Sequence, residues 1–304
     1  MRKMFFSILA LGCVLRAPGA WGEEALQVSK IAEGIWAAVP SSGANVGWFV
    51  SGDGVVVVDA GGTPAIARAV LEKIAETAKK PVRTLILTHS HADHVGGARV
   101  FAATGARIIC HENAASTVAN FLLAPPDPKD PADVKAPAAI LESFSERMLL
   151  LAGSQQVSLF WLGAAHTNAD VVVYLPREKT LFSGDVAINA LVPYMQSPDC
   201  DPPGWERLLV RLSALPIEHM LPGHGVPGPT EGVQATGAYV QRIIRLARML
   251  IEKDVPQEFY LPKAAEPEYR IEGVPLNDKH LANIKAVVRY EREHAKKAPP
   301  EKKG

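Results

Sequence analysis

The stretch "LTHSHADHVGG", residues 87–97, places His89, His91, Asp93 and His94 within six positions. Protonated imidazoles repel one another, and neutral ones gain little from crowding. A bound cation would neutralise and space them, because imidazole nitrogen and carboxylate oxygen are ordinary donors to zinc. The run before the cluster, "VRTLILTH", reads as a short buried strand, so the histidines begin where a strand ends. A loop leaving a strand aims alternate side chains into one cleft, which suits His89 and His91 for one ion. Asp93 and His94, further along the turn, are placed to face a second.

Two ions need more donors, and the chain offers three in one recurring pattern: an apolar strand, small residues, then a single ligand. His166 stands in "GAAHTNAD" after "VSLFWLG", Asp185 closes "LFSGD", and His224 stands in "LPGHG" after "IEHML". The expected assignment is His89, His91 and His166 to one ion, and Asp93, His94 and His224 to the other. Asp185 bridges them, since each of its oxygens can bind one cation. Two zinc ions are the expected cofactors, although iron and manganese accept a similar donor set. Asp59 follows four valines in "VVVVD", where an acid needs a buried partner. The free N–H of a metal-bound histidine would serve.

"THSHADHVGG", "HTNAD", "LFSGD" and "LPGHG", in this order, resemble the motifs of the metallo-β-lactamase superfamily of hydrolases, over roughly residues 28–250. The resemblance implies an αββα sandwich with a dinuclear site at one edge of its two sheets, and it supports the ligand assignment residue by residue. It also places Asp59 behind the ligands, as a brace for their loop. Asp185 is informative within the family. True β-lactamases of this kind generally carry cysteine or serine there, whereas the thioesterases resembling glyoxalase II carry the bridging aspartate. The chain is most similar to exported, glyoxalase-II-like zinc hydrolases, and "DPPGWERLLVRLSAL" before "LPGHG" suits that group. The expected mechanism is attack of a metal-bridging hydroxide on an ester or thioester carbonyl, with Asp93 orienting that water or shuttling its proton. The alternatives are a class B β-lactamase and a mononuclear iron persulfide dioxygenase. The dioxygenase would leave Asp93, His94 and His224 without their full role.

Around these motifs the pattern alternates. Residues 45–51 and Val55–Val58 read as two strands joined through Asp53-Gly54, followed by a helix over 64–79 that opens on Pro64. Residues 95–104 read as a helix, and "GARIICHEN" as a strand entering another. Strands are expected at 145–151, 155–162, 169–175 and 180–184, and helices at 202–216, 232–254 and 277–295. Two sheets packed face to face with helices outside both, a four-layer α/β sandwich, accommodate this order. Residues 124–138, rich in proline and charge, read as an exposed insertion loop.

The 304 residues carry 32 basic and 32 acidic side chains, a balance that argues against a nucleic-acid partner and for a small-molecule substrate. Arg2 and Lys3, the apolar run Met4–Leu15, and small residues up to Gly22 have the layout of a secretory signal peptide. Twelve apolar residues fall short of the ~20 that span a bilayer. The expected organisation is a signal peptide at 1–22, a catalytic domain at 23–255, and a helical extension with a basic tail at 256–304. The expected location is the periplasm or the medium. Cys110, ending "ARIIC", reads as a core residue that could pair with Cys200 only in an oxidising compartment. His111 reads as a helix-start residue beside Asn113, His219 as structural, and His280 and His294 as solvated. Trp48, Phe49 and Trp205 read as core. Tyr194, Asn189 and Asp199 lie in the loop after Asp185, where a substrate would sit.

Overall fold

A computed structural model of the chain describes residues 26–126, 128, 139–153 and 155–295. The proposed leader and the basic tail from 296 lie outside these residues, as does most of the 124–138 insertion. Among the described residues no helix is long and apolar enough to cross a membrane.

The first sheet holds seven strands in chain order: β1 (Gln27–Ala32), β2 (Ile35–Val39), β3 (Val46–Val50), β4 (Val55–Val58), β5 (Val82–Ile86), β6 (Arg107–His111) and β7 (Leu141–Phe144). The first four pair antiparallel, and β4 to β7 pair parallel. Helices α1 (Pro64–Ala78), α2 (Ala92–Val95), α3 (Ala98–Ala103) and α4 (Glu112–Leu123) fall in the crossovers. The second sheet has the order β12-β11-β10-β9-β8, from β8 (Arg147–Ala152), β9 (Gln155–Trp161), β10 (Val171–Leu175), β11 (Thr180–Gly184) and β12 (His219–Pro222). Its outer helices are α5 (Pro202–Ser213), α6 (Gly232–Glu252), α7 (Tyr260–Ala264) and α8 (Asp278–Ala295).

Strand alternation builds the layers. Successive side chains of a strand point to opposite faces. In β4, Val55 and Val57 therefore pack with Ile66, Val70 and Phe101 under the first helical layer. Val56 and Val58 pack between the sheets against Val171, Val173 and Phe182. On the far side Val172 and Leu181 meet Trp205, Ile243 and Val287. A strand buried on both faces reads as an unbroken apolar run, which is what "VVVV" is. The result is the expected helix–sheet–sheet–helix sandwich.

Two elements depart from the pattern. The stretch near 145 is two strands, with β7 closing the first sheet and β8 opening the second. The polar Glu142 and Ser143 hide β7 from a search for apolar alternation. The turn carrying Asp93 and His94 is a short helix, with both residues in α2.

Cys110 and Cys200 are both buried free thiols. Burial pushes the Cys110 thiol up to about 11. Trp48, Phe49 and Trp205 are buried as expected, and the Trp205 indole donates to the Val186 carbonyl (2.8 Å). His111 caps α4, its Nδ1 accepting from the Asn113 amide (3.2 Å). His294 is exposed, stacked on Tyr290. His280 departs from expectation. It is only 2% exposed and pairs with the Tyr239 hydroxyl (2.9 Å), because α8 packs along α6 and this helix face is covered.

Candidate metal centre

Each ligand-type residue sits just outside a sheet, at one edge of the sandwich. Asp59 follows β4, His89 follows β5, Asp185 follows β11 and His224 follows β12, all at carboxyl ends of parallel-paired strands. That is where clefts open in α/β sheets. His166 lies in the β9–β10 connection and joins the same edge.

The donor atoms fall into three overlapping groups: His89, His91 and His166; Asp93, His94 and His224; and His89, His94 and Asp185. Within each, one ligand atom per residue lies within 4.8 Å of the others. In the first group the His91 Nδ1 is 3.1 Å from His89 Nε2 and 3.0 Å from His166 Nε2. In the second the His224 Nε2 is 3.0 Å from Asp93 Oδ2. Asp185 lies between, with Oδ1 at 3.4 Å from His94 Nε2 and Oδ2 at 3.5 Å from His166 Nε2 and 3.6 Å from His224 Nε2. All seven residues expected from sequence converge.

Four of the five rings are held from behind. His94 Nδ1 donates to Asp59 Oδ2 (2.8 Å). A carboxylate only accepts, so this bond turns His94 Nε2 inward. Asp59 also accepts from the Thr88 amide (2.8 Å) and hydroxyl (2.9 Å). The Thr88 oxygen in turn receives His89 Nδ1 (3.1 Å). Asp59 thus braces two rings at once, from a left-handed backbone (φ 63°) that non-glycine residues adopt at a cost. His166 Nδ1 donates to the Tyr194 carbonyl (2.9 Å), and His91 Nε2 faces the Ser197 hydroxyl (3.4 Å). Asp170 caps the turn after His166 by accepting from the Thr167 amide and hydroxyl (both 2.8 Å). Asn45 ties the His224 loop down through the Pro222 and Gly225 carbonyls (both 2.9 Å).

Two buried atoms test whether a cation fits. His94 Nε2 and Asp185 Oδ1 are fully buried without a hydrogen-bond partner, an arrangement costing about 1–3 kcal/mol per group unless something engages them. Both belong to donor groups of nitrogen and oxygen atoms that suit zinc. The donors present therefore fit a pair of divalent cations.

Electrostatics divide the ligands. Burial holds His89 and His91 below the usual imidazole range and brings His166 to about 4, so these rings are neutral donors. Burial opposes charge on His94 too, but Asp185 and Asp59 outweigh it and hold its pKa well above the ordinary value. His224 is raised against the effect of burial by its bond to Asp93 and by Asp185. Asp185 and Asp93 stay ionised despite burial, favoured chiefly by His94 and by the His224 bond respectively.

Beside the donors opens a cleft of about 440 Å³, lined by His91, Asp93, His166, Asp185 and His224 with Tyr194 and Lys279. Tyr194 is 44% exposed and faces it. Asn189 does not: it is buried, donating to the Val226 and Pro229 carbonyls (2.8 and 2.9 Å). Asp199 holds the Asn168 amide and the Ser197 hydroxyl. Sequence reasoning missed Thr88, Asp170 and Lys279. The first two stand inside quoted motifs and were legible as hydroxyl and acid neighbours of ligands. Lys279, on a distant helix, carries no local signal.

Residues 40–224 match the family model described as the metallo-beta-lactamase superfamily. The chain is 29% identical over 177 residues to the 2,4-dinitroanisole O-demethylase subunit alpha of Nocardioides sp. (strain JS1661), covering 58% of this chain and 51% of that protein. It is 26% identical over 175 residues to a metallo-beta-lactamase type 2 of Bacillus cereus, covering 54% of this chain and 62% of that one. The chain thus spans less than two thirds of both relatives. Among solved structures, the inverting sec-alkylsulfatase Pisa1 of Pseudomonas sp. superposes with a TM-score of 0.67 at 16% identity, over 90% of this chain and 52% of that one. At that identity the likeness is one of fold.

Proposed function

The chain belongs to the metallo-beta-lactamase superfamily, a family of metal-dependent hydrolases, and from that premise we propose an exported dinuclear zinc hydrolase acting on an ester or thioester, in the manner of glyoxalase II. The observation that carries this reading is Asp185, whose two oxygens reach into both ligand groups. A carboxylate so placed serves two cations, and it is the family position that separates thioesterase-like members from most β-lactamases. His89, His91 and His166 would hold one ion, and Asp93, His94 and His224 the other. When bound, such ions act as Lewis acids toward a carbonyl oxygen and lower the pKa of water toward 7.

The chain's own groups supply the rest. Asp93 is 39% exposed on its side chain, faces the cleft and stays ionised, so its carboxylate can accept a proton from an attacking water or orient that water by hydrogen bonding. Asp59, Thr88 and the Tyr194 carbonyl keep the inward nitrogens of His94, His89 and His166 as lone-pair donors. The Tyr194 hydroxyl is available to hydrogen-bond a substrate oxygen. No serine or cysteine nucleophile is needed, and the two described thiols are buried.

A second reading is β-lactam hydrolysis, favoured by the similarity to the Bacillus cereus enzyme. Export rests on the sequence of residues 1–22, and sequencing the N-terminus of protein recovered from the medium or periplasm tests it. For the reaction, the chain lacking residues 1–22 is purified, its metals are counted, and a thioester, a lactone, a phosphodiester and a chromogenic β-lactam are assayed with and without oxygen. About two zinc ions per chain with oxygen-independent thioester cleavage is the expected result. One iron per chain, with oxygen uptake when a persulfide is added to the same panel, would sink it.

A further inference from the structure

The cleft continues away from the metal donors. A second cavity of about 760 Å³ shares Ile188, Leu191, Val192 and Lys279 with it, so the two adjoin along these residues. The walls of this second part are largely apolar and include Pro193, Tyr239, Ile271, Val274 and Pro275. The last three belong to the segment leading into α8, in the part of the chain that the family model does not cover.

Charge in this groove is one-sided. Arg242, Arg270 and Lys279 line it against one carboxylate, Glu272. Two of the cations are committed to the fold. Arg242 donates to the carbonyls of Glu268 (2.9 Å) and Arg270 (3.1 Å), and Arg270 donates to the Val274 carbonyl (2.9 Å). Lys279, exposed in the first turn of α8 where the two spaces meet, makes no hydrogen bond or ion pair with any described residue. A free ammonium beside apolar walls matches a ligand with an aliphatic body and one negative charge. A single lysine offers a point charge, whereas phosphate recognition favours the bidentate fork of arginine, and both arginines here already give Nη1 to backbone carbonyls.

We propose that Lys279 is the specificity residue of this hydrolase, selecting esters or thioesters that carry a free carboxylate on an aliphatic body lying in the groove. The chemistry rests on the hydrolase reading above; the charge preference rests on the groove alone.

The test uses the metal-loaded protein and two substrates matched in length, an aryl monothioester of adipic acid and its primary-amide counterpart, with Lys279→Ala, Lys279→Arg and Lys279→Glu. Wild type should prefer the acid. Lys279→Ala should lose about fivefold in kcat/KM on the acid through KM, the upper range for a solvated ion pair, and stay within about twofold on the amide. Lys279→Arg should restore the preference and Lys279→Glu invert it. In parallel, calorimetry follows binding of the unreactive adipic acid monobutylamide, whose affinity should fall about fivefold in Lys279→Ala. An acid-to-amide ratio or a binding constant indifferent to residue 279, or no binding by wild type, overturns the proposal. If neither thioester is cleaved while binding still depends on Lys279, the hydrolase reading fails and the anion site stands.

Discussion

Asp59 shows how much one side chain can organise when it is buried behind ligands instead of among them. It accepts from His94, from the Thr88 amide and from the Thr88 hydroxyl that in turn holds His89. Asp59→Asn removes the charge and gives one of these donors an N–H to face. Zinc affinity should fall by about 10- to 100-fold with the far-UV spectrum unchanged, as read by competition with a chromophoric chelator. Gly223 is the second residue whose identity is dictated at this scale. A Cβ there would lie 2.1 Å from Asp185 Oδ1 and 2.7 Å from His94 Cε1. Gly223→Ala should therefore push the carboxylate out of line and lower the number of divalent cations bound per chain relative to wild type, measured by elemental analysis. The pKa directions supply a further prediction. His94 and His224 are raised and bind protons first as pH falls, while burial lowers His89 and brings His166 to about 4. Protons compete with cations for the same nitrogens. Acidification should thus empty the group of Asp93, His94 and His224 before the group of His89, His91 and His166. A zinc titration repeated from pH 8 to 5 checks it; simultaneous loss of both ions would contradict the assignment.

Among the elements, α8 has the largest effect on the site for its distance in sequence. Asn283 is fully buried, and its side chain makes four hydrogen bonds. Its Oδ1 accepts from the Met195 amide (3.1 Å) and Gln196 Nε2 (3.2 Å), and its Nδ2 donates to the Pro193 carbonyl (2.7 Å) and the Tyr239 hydroxyl (2.8 Å). The residues it grips flank Tyr194, whose carbonyl aims His166. Asn283→Ala would leave buried partners unsatisfied and should cost about 2–3 kcal/mol in urea unfolding, together with weaker zinc binding. Ile284→Ala, one residue on in the same helix, opens a cavity at a comparable cost of about 2–5 kcal/mol but removes none of the hydrogen bonds that hold the Tyr194 loop. Zinc affinity in that variant should be preserved. The short α2 shows the opposite relation, since the helix containing Asp93 and His94 exists within the ligand motif itself.

For the whole molecule, the C-terminal segment and the rest form one packed body. Ile284, Val287 and Val288 of α8 share a core with Trp205, Ile243 and Leu250. A chain ending at residue 255 would expose that surface, and we expect it to be insoluble or to lose cooperative unfolding in circular dichroism. A cleanly folded product would instead favour a catalytic domain that ends near 255. Because the candidate ligands come from loops of both sheets, cations bound there would also join the two halves. Chelation should lower the melting temperature, by an amount set by ligand concentration over affinity, about 4 kcal/mol at a thousandfold excess.

Strand alternation, the capping and turn residues, and the metal-ligand motifs are local properties, and each was legible in sequence. "VVVV" read as a strand, Pro64 opened a helix as expected, and the spacing of His89, His91, Asp93 and His94 pointed to one shared cleft of metal-type donors. The sandwich followed from the order of such elements. What tertiary structure alone decided is who stands behind and beside the ligands. A backbone carbonyl at Tyr194, an asparagine at 283 and a lysine at 279 have no spacing to betray them, because hydrogen bonds and clefts form between segments 28 to 90 residues apart, with no fixed period. His280 was misread for the same reason. A helix face is covered or exposed according to its neighbour, and that neighbour, α6, lies elsewhere in the chain.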